Sequence, residues 1–176
     1  MSAVTLLEAK AHLRVLHTAD DAYIQDLVDA AVAQAEEITS RNLLETVNIF
    51  YLDGFVKSFE LPKSPLIAID TIEYQMPDSE TYTTLSATAY RVNDVVEPAK
   101  VLFKESFSVA DSFKSIKVTY RAGYAPDAVP KPIKQWVLIR VATMYENREE
   151  VAVGTVSEIR SDYNDFFISK YRVGRL

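Results

Sequence analysis

The sequence has no cysteine, and its 176 residues include only 4 glycines and 2 histidines. Without cysteine the chain cannot form disulfides, thiolate nucleophiles or cysteine-ligated metal sites. The scarcity of glycine leaves little room for phosphate-binding loops, and no Walker loop, dinucleotide fingerprint or G-x-S-x-G elbow occurs. These absences exclude the catalytic and cofactor sites that are easiest to recognise in a sequence.

Basic residues are also in short supply. Lysine and arginine number 19 against 25 aspartates and glutamates, a formal net charge of −6. A general affinity for nucleic acid needs a basic surface, so this balance argues against it. No segment approaches the roughly 20 apolar residues of a membrane span, and the N-terminus lacks the basic flank and apolar run of a signal peptide. We expect a soluble protein of one domain, or of one domain with an appendage.

The stretch at 131–149 predicts the central helix of the fold. Pro130 and Pro132 suit the start of a helix, where a missing N–H costs nothing. Arg140 interrupts an otherwise apolar zone, so we expect its guanidinium to have a carboxylate or carbonyl partner. The apolar residues recur at spacings of three and four, as in a helix packed on a core: Ile133, Trp136, Val137, Val141, Met144 and Tyr145.

Two further helices are predicted at 5–15 and 20–40. Thr5 and Glu8 form a capping box, in which each side chain satisfies an exposed backbone N–H. Asp20 and Asp21 favour a second helix start, because acids stabilise the positive end of the helix dipole. The buried stripe of this second helix is predicted to be Ile24, Leu27, Val28, Ala31, Ala35 and Ile38.

The opposite face of the second helix is uniformly acidic. It carries Asp26, Asp29 and Glu36, and no lysine or arginine occurs between Arg14 and Arg41. Such a face is ordinarily solvated, but it also suits a partner surface or a wall that repels DNA. The sequence leaves these alternatives open.

Residues from about 47 to 124 predict an inserted antiparallel β-subdomain. Short apolar and alternating runs bounded by Gly, Pro and Asp indicate four to seven strands there. The run at 49–52 ends at Asp53-Gly54, a turn signal that favours pairing with a strand at 55–61. The predicted fold class is therefore α+β, a small helical bundle around a central C-terminal helix with an inserted antiparallel β-subdomain.

We expect residues 1–150 to form one domain and 151–176 a C-terminal tail that serves as a docking segment. The tail has too many aromatic residues to be disordered on composition. Exposed on a single chain it would be an apolar liability, so it either folds back on its own domain or docks on another chain. The candidate partner-binding residues are Phe166, Phe167, Tyr171 and Arg172.

A catalytic site has little support. His12 and His17, with acids such as Asp20 or Asp21, are candidate metal ligands, but their spacing matches no compact motif such as H-E-x-x-H. The alternative hypothesis of a small metal-dependent hydrolase depends on these residues. Otherwise the sequence predicts no catalytic residue, no metal site and no cofactor, and therefore no enzyme.

Short motifs along nearly the whole chain resemble those of tailed-phage head–tail connector proteins, the adaptor family that sits beneath the portal. The order and spacing of these motifs carry the resemblance. The β region makes the chain similar to the longer members rather than the minimal all-helical ones. The motifs are TLLEAKAHLRV at 5–15, DDAYIQDLVDAA at 20–31, LPKSPL at 61–66, YRV at 90–92, VTYRAGY at 118–124, VPKPIKQ at 129–135, MYENRE at 144–149 and YRV at 171–173.

This resemblance implies a structural virion protein without catalytic activity. Family members form rings, commonly dodecameric, that bind the portal after DNA packaging and carry the next connector or stopper protein. The implied partners are the portal protein, a stopper and further copies of this chain, with DNA only as passing cargo and no membrane. The implied location is the head–tail interface, and the host cytoplasm during assembly. Asp26, Asp29 and Glu36 could then face the DNA channel. A chain that is monomeric in isolation, and a non-viral scaffold domain of the same fold, stay open as alternatives.

Overall fold

The computed structural model describes residues 2–77, 79, 81–147 and 166–174. The chain divides into two compact units, which we call the helical unit (residues 1–39 and 125–172) and the β unit (residues 40–124 and 173–176). The β unit is thus inserted between helical segments, and its sheets are antiparallel. The predicted α+β fold class is confirmed.

The helical unit contains α1 (Leu6–Leu13), α2 (Asp21–Thr39) and α3 (Lys131–Glu146), and each helix packs against the other two. The spacing of three and four that predicts these helices also predicts most of the residues they bury, although Leu27, Ile38, Met144 and Tyr145 of the predicted stripes are only half-buried. The buried residues are Ala9 on α1, Ile24, Val28, Ala31, Ala35 and Thr39 on α2, and Ile133, Trp136, Val137 and Val141 on α3.

Local sequence signals set the ends of α1. The Thr5 hydroxyl accepts a hydrogen bond from the Glu8 N–H at 3.2 Å, and the Glu8 carboxylate accepts one from the Thr5 N–H at 2.7 Å. These bonds form the predicted capping box. Arg14 then adopts a left-handed backbone, with φ of 59°, and its N–H bonds back to the carbonyls of Lys10 and Ala11. The helix therefore ends at Leu13, before the predicted end at 15.

Polar contacts join the helices at their partly exposed edges. Arg140 Nε donates to the side-chain carbonyl oxygen of Gln34 at 2.9 Å. The expectation that this guanidinium has a carboxylate or carbonyl partner is thus confirmed. Farther along α3, the Tyr145 hydroxyl donates to the Asp20 carboxylate at 2.6 Å. These bonds fix α2 and α3 relative to each other at two well-separated points.

The β unit contains seven strands within the part of the chain that the structure describes. A four-stranded sheet has the order β1-β7-β3-β4, and a three-stranded sheet has the order β2-β6-β5; all neighbouring strands are antiparallel. A 3-10 turn at Ala87–Ala89 precedes β5. The strands are β1 (Thr46–Leu52), β2 (Ser58–Glu60), β3 (Leu66–Gln75), β4 (Tyr82–Thr84), β5 (Tyr90–Asn93), β6 (Lys100–Phe103) and β7 (Ile116–Ala122).

The predicted pairing of β1 with the strand that follows it is wrong. β1 pairs with β7, and β2 pairs with β6 in the other sheet. The Asp53 carboxylate, which suggested a turn, accepts a hydrogen bond from the Lys114 N–H at 2.8 Å and so ties the end of β1 to the start of β7. The residues that follow pack against the other sheet through their aromatic side chains. The ring centroids of Phe55 and Phe59 lie 5.7 and 5.6 Å from that of Phe103.

β7 contributes more fully buried residues to the core of the β unit than any other described strand. Ile116, Val118, Tyr120 and Ala122 alternate along it and are all buried, whereas the residues between them are half-buried. This period-2 alternation is that of a strand with one face on the core. Because β7 lies between β1 and β3, its register sets the positions of both neighbours.

Gly123 allows the chain to reach β1. Its φ is 126°, a conformation that other residues rarely adopt, and a Cβ there would lie 2.1 Å from the carbonyl oxygen of Leu44. The backbone leading into β1 therefore lies directly against the backbone leaving β7. Only a glycine permits this approach.

Candidate interaction surfaces

The C-terminal segment at 166–174 carries the four residues predicted to bind a partner. Phe166 is 75% exposed and Arg172 is exposed, while Phe167 and Tyr171 are half-buried. Ile168, which lies between Phe167 and Tyr171, is buried and fixes this part of the segment. The segment thus presents one large aromatic side chain and the two cationic side chains of Lys170 and Arg172 to solvent. The rest of the predicted docking tail, at 151–165 and 175–176, lies outside the described residues.

The outer face of α2 carries the three acids predicted to face a channel. Asp26 and Asp29 are exposed and Glu36 is half-buried. At 100° per residue the three side chains project from one side of the helix. The remaining exposed positions on that side are alanines and a further glutamate, at 22, 30, 33 and 37. The face is therefore shallow and carries negative charge only.

A row of exposed apolar side chains lies along β1. Val47, Ile49 and Tyr51 are 60%, 54% and 38% exposed, and we call them the β1 outer row. Phe50 and Leu52 alternate with them and are half-buried, on the other face of the strand. Sequence reasoning identified a strand here but missed the row. The available signal was that both faces of the run TVNIFYL carry large apolar residues.

β1 is also an edge strand without the usual protection. Its seven residues pair with β7 in unbroken register from Thr46 to Leu52, and no other strand in the described part of the chain pairs with its second side. The other three sheet edges there are only three or four residues long. Natural edge strands are usually short, charged, bulged or interrupted by proline, because an open edge is a template for another strand. β1 has none of these features.

Two charged residues beside the β1 outer row are paired with acids, and a third, Lys114, lies over the Tyr51 ring at 5.2 Å from its centroid. Arg121 donates to Asp70 and to Glu45, each at 3.0 Å, and Lys117 lies 2.9 Å from Glu73. These hydrogen bonds raise the pKa of Arg121 and of Lys117. In the β1–β7 register these basic residues stand directly opposite members of the row, on the same face of the sheet. The face thus combines an apolar row with charges that largely offset one another.

A buried arginine holds the loop before β6. Arg41 is 6% exposed, forms an ion pair with Glu97, and donates to the Tyr124 hydroxyl at 2.9 Å. Burial alone lowers the pKa of Arg41, but the hydrogen bond to Glu97 and the charges of Glu97 and Tyr124 leave it raised. A cation held in this way fixes the backbone near Glu97, directly after the exposed pair Val95 and Val96.

The two histidines are exposed, His12 in the last turn of α1 and His17 in the loop that follows. Among the described residues, no group of three or more histidines, aspartates or glutamates is arranged to hold a metal ion. Helices in the same part of the chain are also too short or too polar to cross a membrane.

Comparison with known sequences identifies one family. The family model described as phage gp6-like head–tail connector protein matches residues 3–100, which is more than half of the chain. The matched region includes α1, α2 and the first five strands, together with the acidic face of α2 and the β1 outer row. A search of curated proteins gave no match.

Solved structures with the same fold come from gene transfer agent particles. Three chains are each 19% identical to this one, and each match covers 99% of this chain and 91% of the other. They belong to the neck of an empty gene transfer agent particle computed with C6 symmetry (TM-score 0.77), the virion of a native gene transfer agent particle (0.79), and the neck of a native particle computed with C12 symmetry (0.75). At this identity the likeness establishes the fold.

Proposed function

Because the chain belongs to the phage gp6-like head–tail connector family, we propose that it forms a ring between the portal and the tail of a virion. Its role as a structural connector follows from the family. The ring, its partners and the surfaces involved are the parts that we propose. The observation that carries the proposal is the family match over residues 3–100, which includes α1, α2 and the first five strands.

A ring is supported by the symmetry in which the similar chains were solved. Those neck structures were computed with C6 and C12 symmetry, and the matches cover almost all of this chain. A cyclic assembly needs a heterologous contact, in which one patch of a copy meets a different patch of the next and rotation closes the ring. We propose a dodecamer, because a ring with twelvefold symmetry also has sixfold symmetry and is therefore compatible with both of those structures.

The ring would bind the portal after DNA packaging and carry the next connector or stopper protein. The genome would pass through its channel as cargo. This role requires specific surfaces rather than a reaction, so we propose that the chain acts by assembly, without catalysis or a cofactor. Assembly would take place in the host cytoplasm, and the finished ring would stay in the virion.

The C-terminal segment is our candidate for contact with the portal. Phe166 is largely exposed, Arg172 six residues later is also exposed, and the buried Ile168 between them fixes this part of the segment. Aromatic and arginine side chains supply much of the binding energy of protein interfaces. Phe167 and Tyr171 are half-buried and would complete the contact around them.

Attachment to portal-bearing heads tests this role. We expect the wild-type chain to bind purified heads, and Phe166→Ala with Arg172→Ala to lower the affinity by about a hundredfold, because removing two anchoring side chains costs several kcal/mol. Phe113→Ala is the matched control, since Phe113 is 87% exposed on the loop before β7. Equal losses in both variants would contradict a specific role for the C-terminal segment, and a wild-type chain that does not bind heads would contradict the connector role.

The acidic face of α2 is our candidate for the channel wall. An acidic lumen repels phosphates, so DNA would slide without adhering. Replacing Asp26 and Asp29 by lysine should slow genome release from assembled particles. Asp94→Lys with Glu105→Lys makes the same change of charge at exposed positions in the β unit. If both pairs slow release equally, net charge rather than position is responsible and the α2 face does not line the channel.

A further inference from the structure

We propose that β1, through its open edge and its outer row, forms the contact with a second copy of this chain. This inference depends on the ring proposed above and assigns its copy-to-copy surface. It names one side of a heterologous contact, since in a ring each copy uses a given patch once.

The unpaired edge of β1 can accept a further strand. β1 offers seven residues in regular register with nothing paired to its second side in the described part of the chain. A strand or extended segment of a neighbour can add to such an edge through main-chain hydrogen bonds, while the alternate side chains fill pockets or pack on apolar surface. Val47, Ile49 and Tyr51 are placed to make those side-chain contacts, because they are the exposed alternate residues of the strand.

The distribution of charge favours another copy of this chain as the partner of β1. Each copy carries a net charge of −6, so identical copies repel one another except where charge is absent or offset. β1 has no charged residue between Thr46 and Leu52. The charges nearest to it are on Arg121 and Lys117, which are already paired with neighbouring acids, and on Lys114, whose ammonium lies over the Tyr51 ring at 5.2 Å from its centroid. This face can therefore approach a like-charged copy at low electrostatic cost.

Other exposed surfaces fit a second copy less well. The outer face of α2 is acidic throughout its exposed length and would meet the net negative charge of the neighbour. The outer face of the β2-β6-β5 sheet contains the exposed Leu102, but the edge strands of this sheet, β2 and β5, are only three and four residues long and offer little backbone to a neighbour. Leu102 is therefore a suitable comparison site, as an exposed apolar residue of similar size on a strand of a different face.

The direct test compares two single substitutions in the full chain. Ile49→Asp puts a charge in the middle of the β1 outer row, and Leu102→Asp puts the same charge on the other sheet. Ile49 is 54% and Leu102 is 41% exposed, so both variants should fold, as circular dichroism and thermal unfolding would verify. On portal-bearing heads imaged by electron microscopy, we expect Ile49→Asp to reduce complete rings by about tenfold or more and Leu102→Asp to leave them near the wild-type level.

A second readout uses the absence of cysteine. In Ile49→Cys the introduced thiol is the only one in the chain. We expect it to react readily with a thiol reagent in the free chain and at least about tenfold more slowly in the ring, because a buried thiol is inaccessible to the reagent. Leu102→Cys should react at similar rates in both states. This measurement does not depend on whether Ile49→Asp folds.

Each result decides the matter. Complete rings from Ile49→Asp, or an unprotected thiol at residue 49 in the ring, would overturn the assignment while leaving the connector role intact. Loss of rings in both aspartate variants would overturn it as well, because the effect would not be specific to β1. Protection that appears only when a preformed ring meets the portal or a stopper would assign the row to that partner instead. Failure of the wild-type chain to form any ring on heads would overturn the proposed ring together with this inference.

Discussion

The outer face of α2 and the outer row of β1 are both exposed, yet they differ in almost every property that governs association. The α2 face alternates acids with alanines, so it is charged and shallow. The β1 row consists of two aliphatic residues and a tyrosine on a strand without charge. For a chain of net charge −6, we expect the first surface to repel a second copy and the second to tolerate one.

The two surfaces also differ in what their backbones need. α2 satisfies its own N–H and C=O groups by internal hydrogen bonds, so its outer face needs no partner. An edge strand leaves half of its backbone groups facing away from the sheet, where only water or another strand can bind them. Exposure alone therefore does not mark an interface; the unmet backbone bonds and the lack of charge distinguish β1.

The largest effect should come from blocking the close backbone approach of Gly123 to Leu44, which positions β1. Gly123→Ala places a Cβ where the Leu44 carbonyl oxygen lies and also forces alanine into a positive φ. We expect a loss of about 3 kcal/mol or more in the free energy of unfolding, and loss of rings with it. Chemical denaturation would measure the first and electron microscopy the second.

Gly54→Ala is the control for that substitution. Gly54 lies two residues after the end of β1, but a Cβ there has no atom within 4 Å. We expect its free energy of unfolding to change by less than about 1 kcal/mol. Similar losses in both variants would mean that the close approach at Leu44 does not determine the position of β1.

A smaller effect is expected from the ion pair between Arg41, which lies between α2 and β1 in the chain, and Glu97. Glu97→Gln leaves the buried Arg41 guanidinium with a neutral acceptor, and we expect it to lower the free energy of unfolding by about 2 kcal/mol. The matched control is Glu60→Gln, because Glu60 pairs with the exposed Lys100 at 3.7 Å and such pairs contribute less than about 1 kcal/mol. If both substitutions lower the free energy of unfolding equally in denaturant titrations, the ion pair of Arg41 contributes no more than an exposed one.

The capping box of α1 tests the helical side of the comparison. Thr5→Ala removes the oxygen that accepts the Glu8 N–H, and we expect a loss of about 1 kcal/mol. The hydrogen bond from the Thr5 N–H lowers the pKa of Glu8, with further contributions from the Thr5 hydroxyl and Lys134. A lowered pKa stabilises the fold above the unfolded-state pKa and less so as pH falls through the folded-state value. The stability difference between wild type and Glu8→Gln should therefore shrink on acidification; a constant difference would contradict the capping role of the carboxylate.

The sequence predicted elements better than it predicted their pairing. Ile133, Trp136, Val137 and Val141 follow the helical period closely enough to reveal both α3 and its buried side. The partner of β1 could not be found in the same way, because β7 lies far along the chain and pairing at that distance leaves no local signal. Asp53 was misleading for a physical reason: its carboxylate suits a turn but bonds instead to the Lys114 N–H.

The candidate surfaces divide along similar lines. The acids of α2 could be placed from periodicity, since the helix has only one apolar side. The β1 outer row could not, because Phe50 and Leu52 on one face and Val47 and Ile49 on the other are equally apolar. Alternation shows that a strand has two faces but not which of them the core covers. The role of the C-terminal residues as a docking segment stays a prediction.

The smallest effect on stability, and the finest test of the comparison, should come from neutralising α2. Asp26→Asn with Asp29→Asn changes exposed side chains, so we expect the free energy of unfolding to change by less than about 0.5 kcal/mol. If this face keeps copies apart, the variant should repel itself less than the wild type in light scattering at about 0.01 M salt, where charges act over about 30 Å. The difference should fade at about 0.15 M, where they act over about 8 Å. Asp94→Asn with Glu105→Gln removes the same charge from exposed positions in the β unit. If the repulsion between copies arises at the α2 face, the variant at 26 and 29 must scatter differently from the variant at 94 and 105. Equal scattering would mean that net charge alone causes the repulsion, and the proposed contrast between α2 and β1 would be lost.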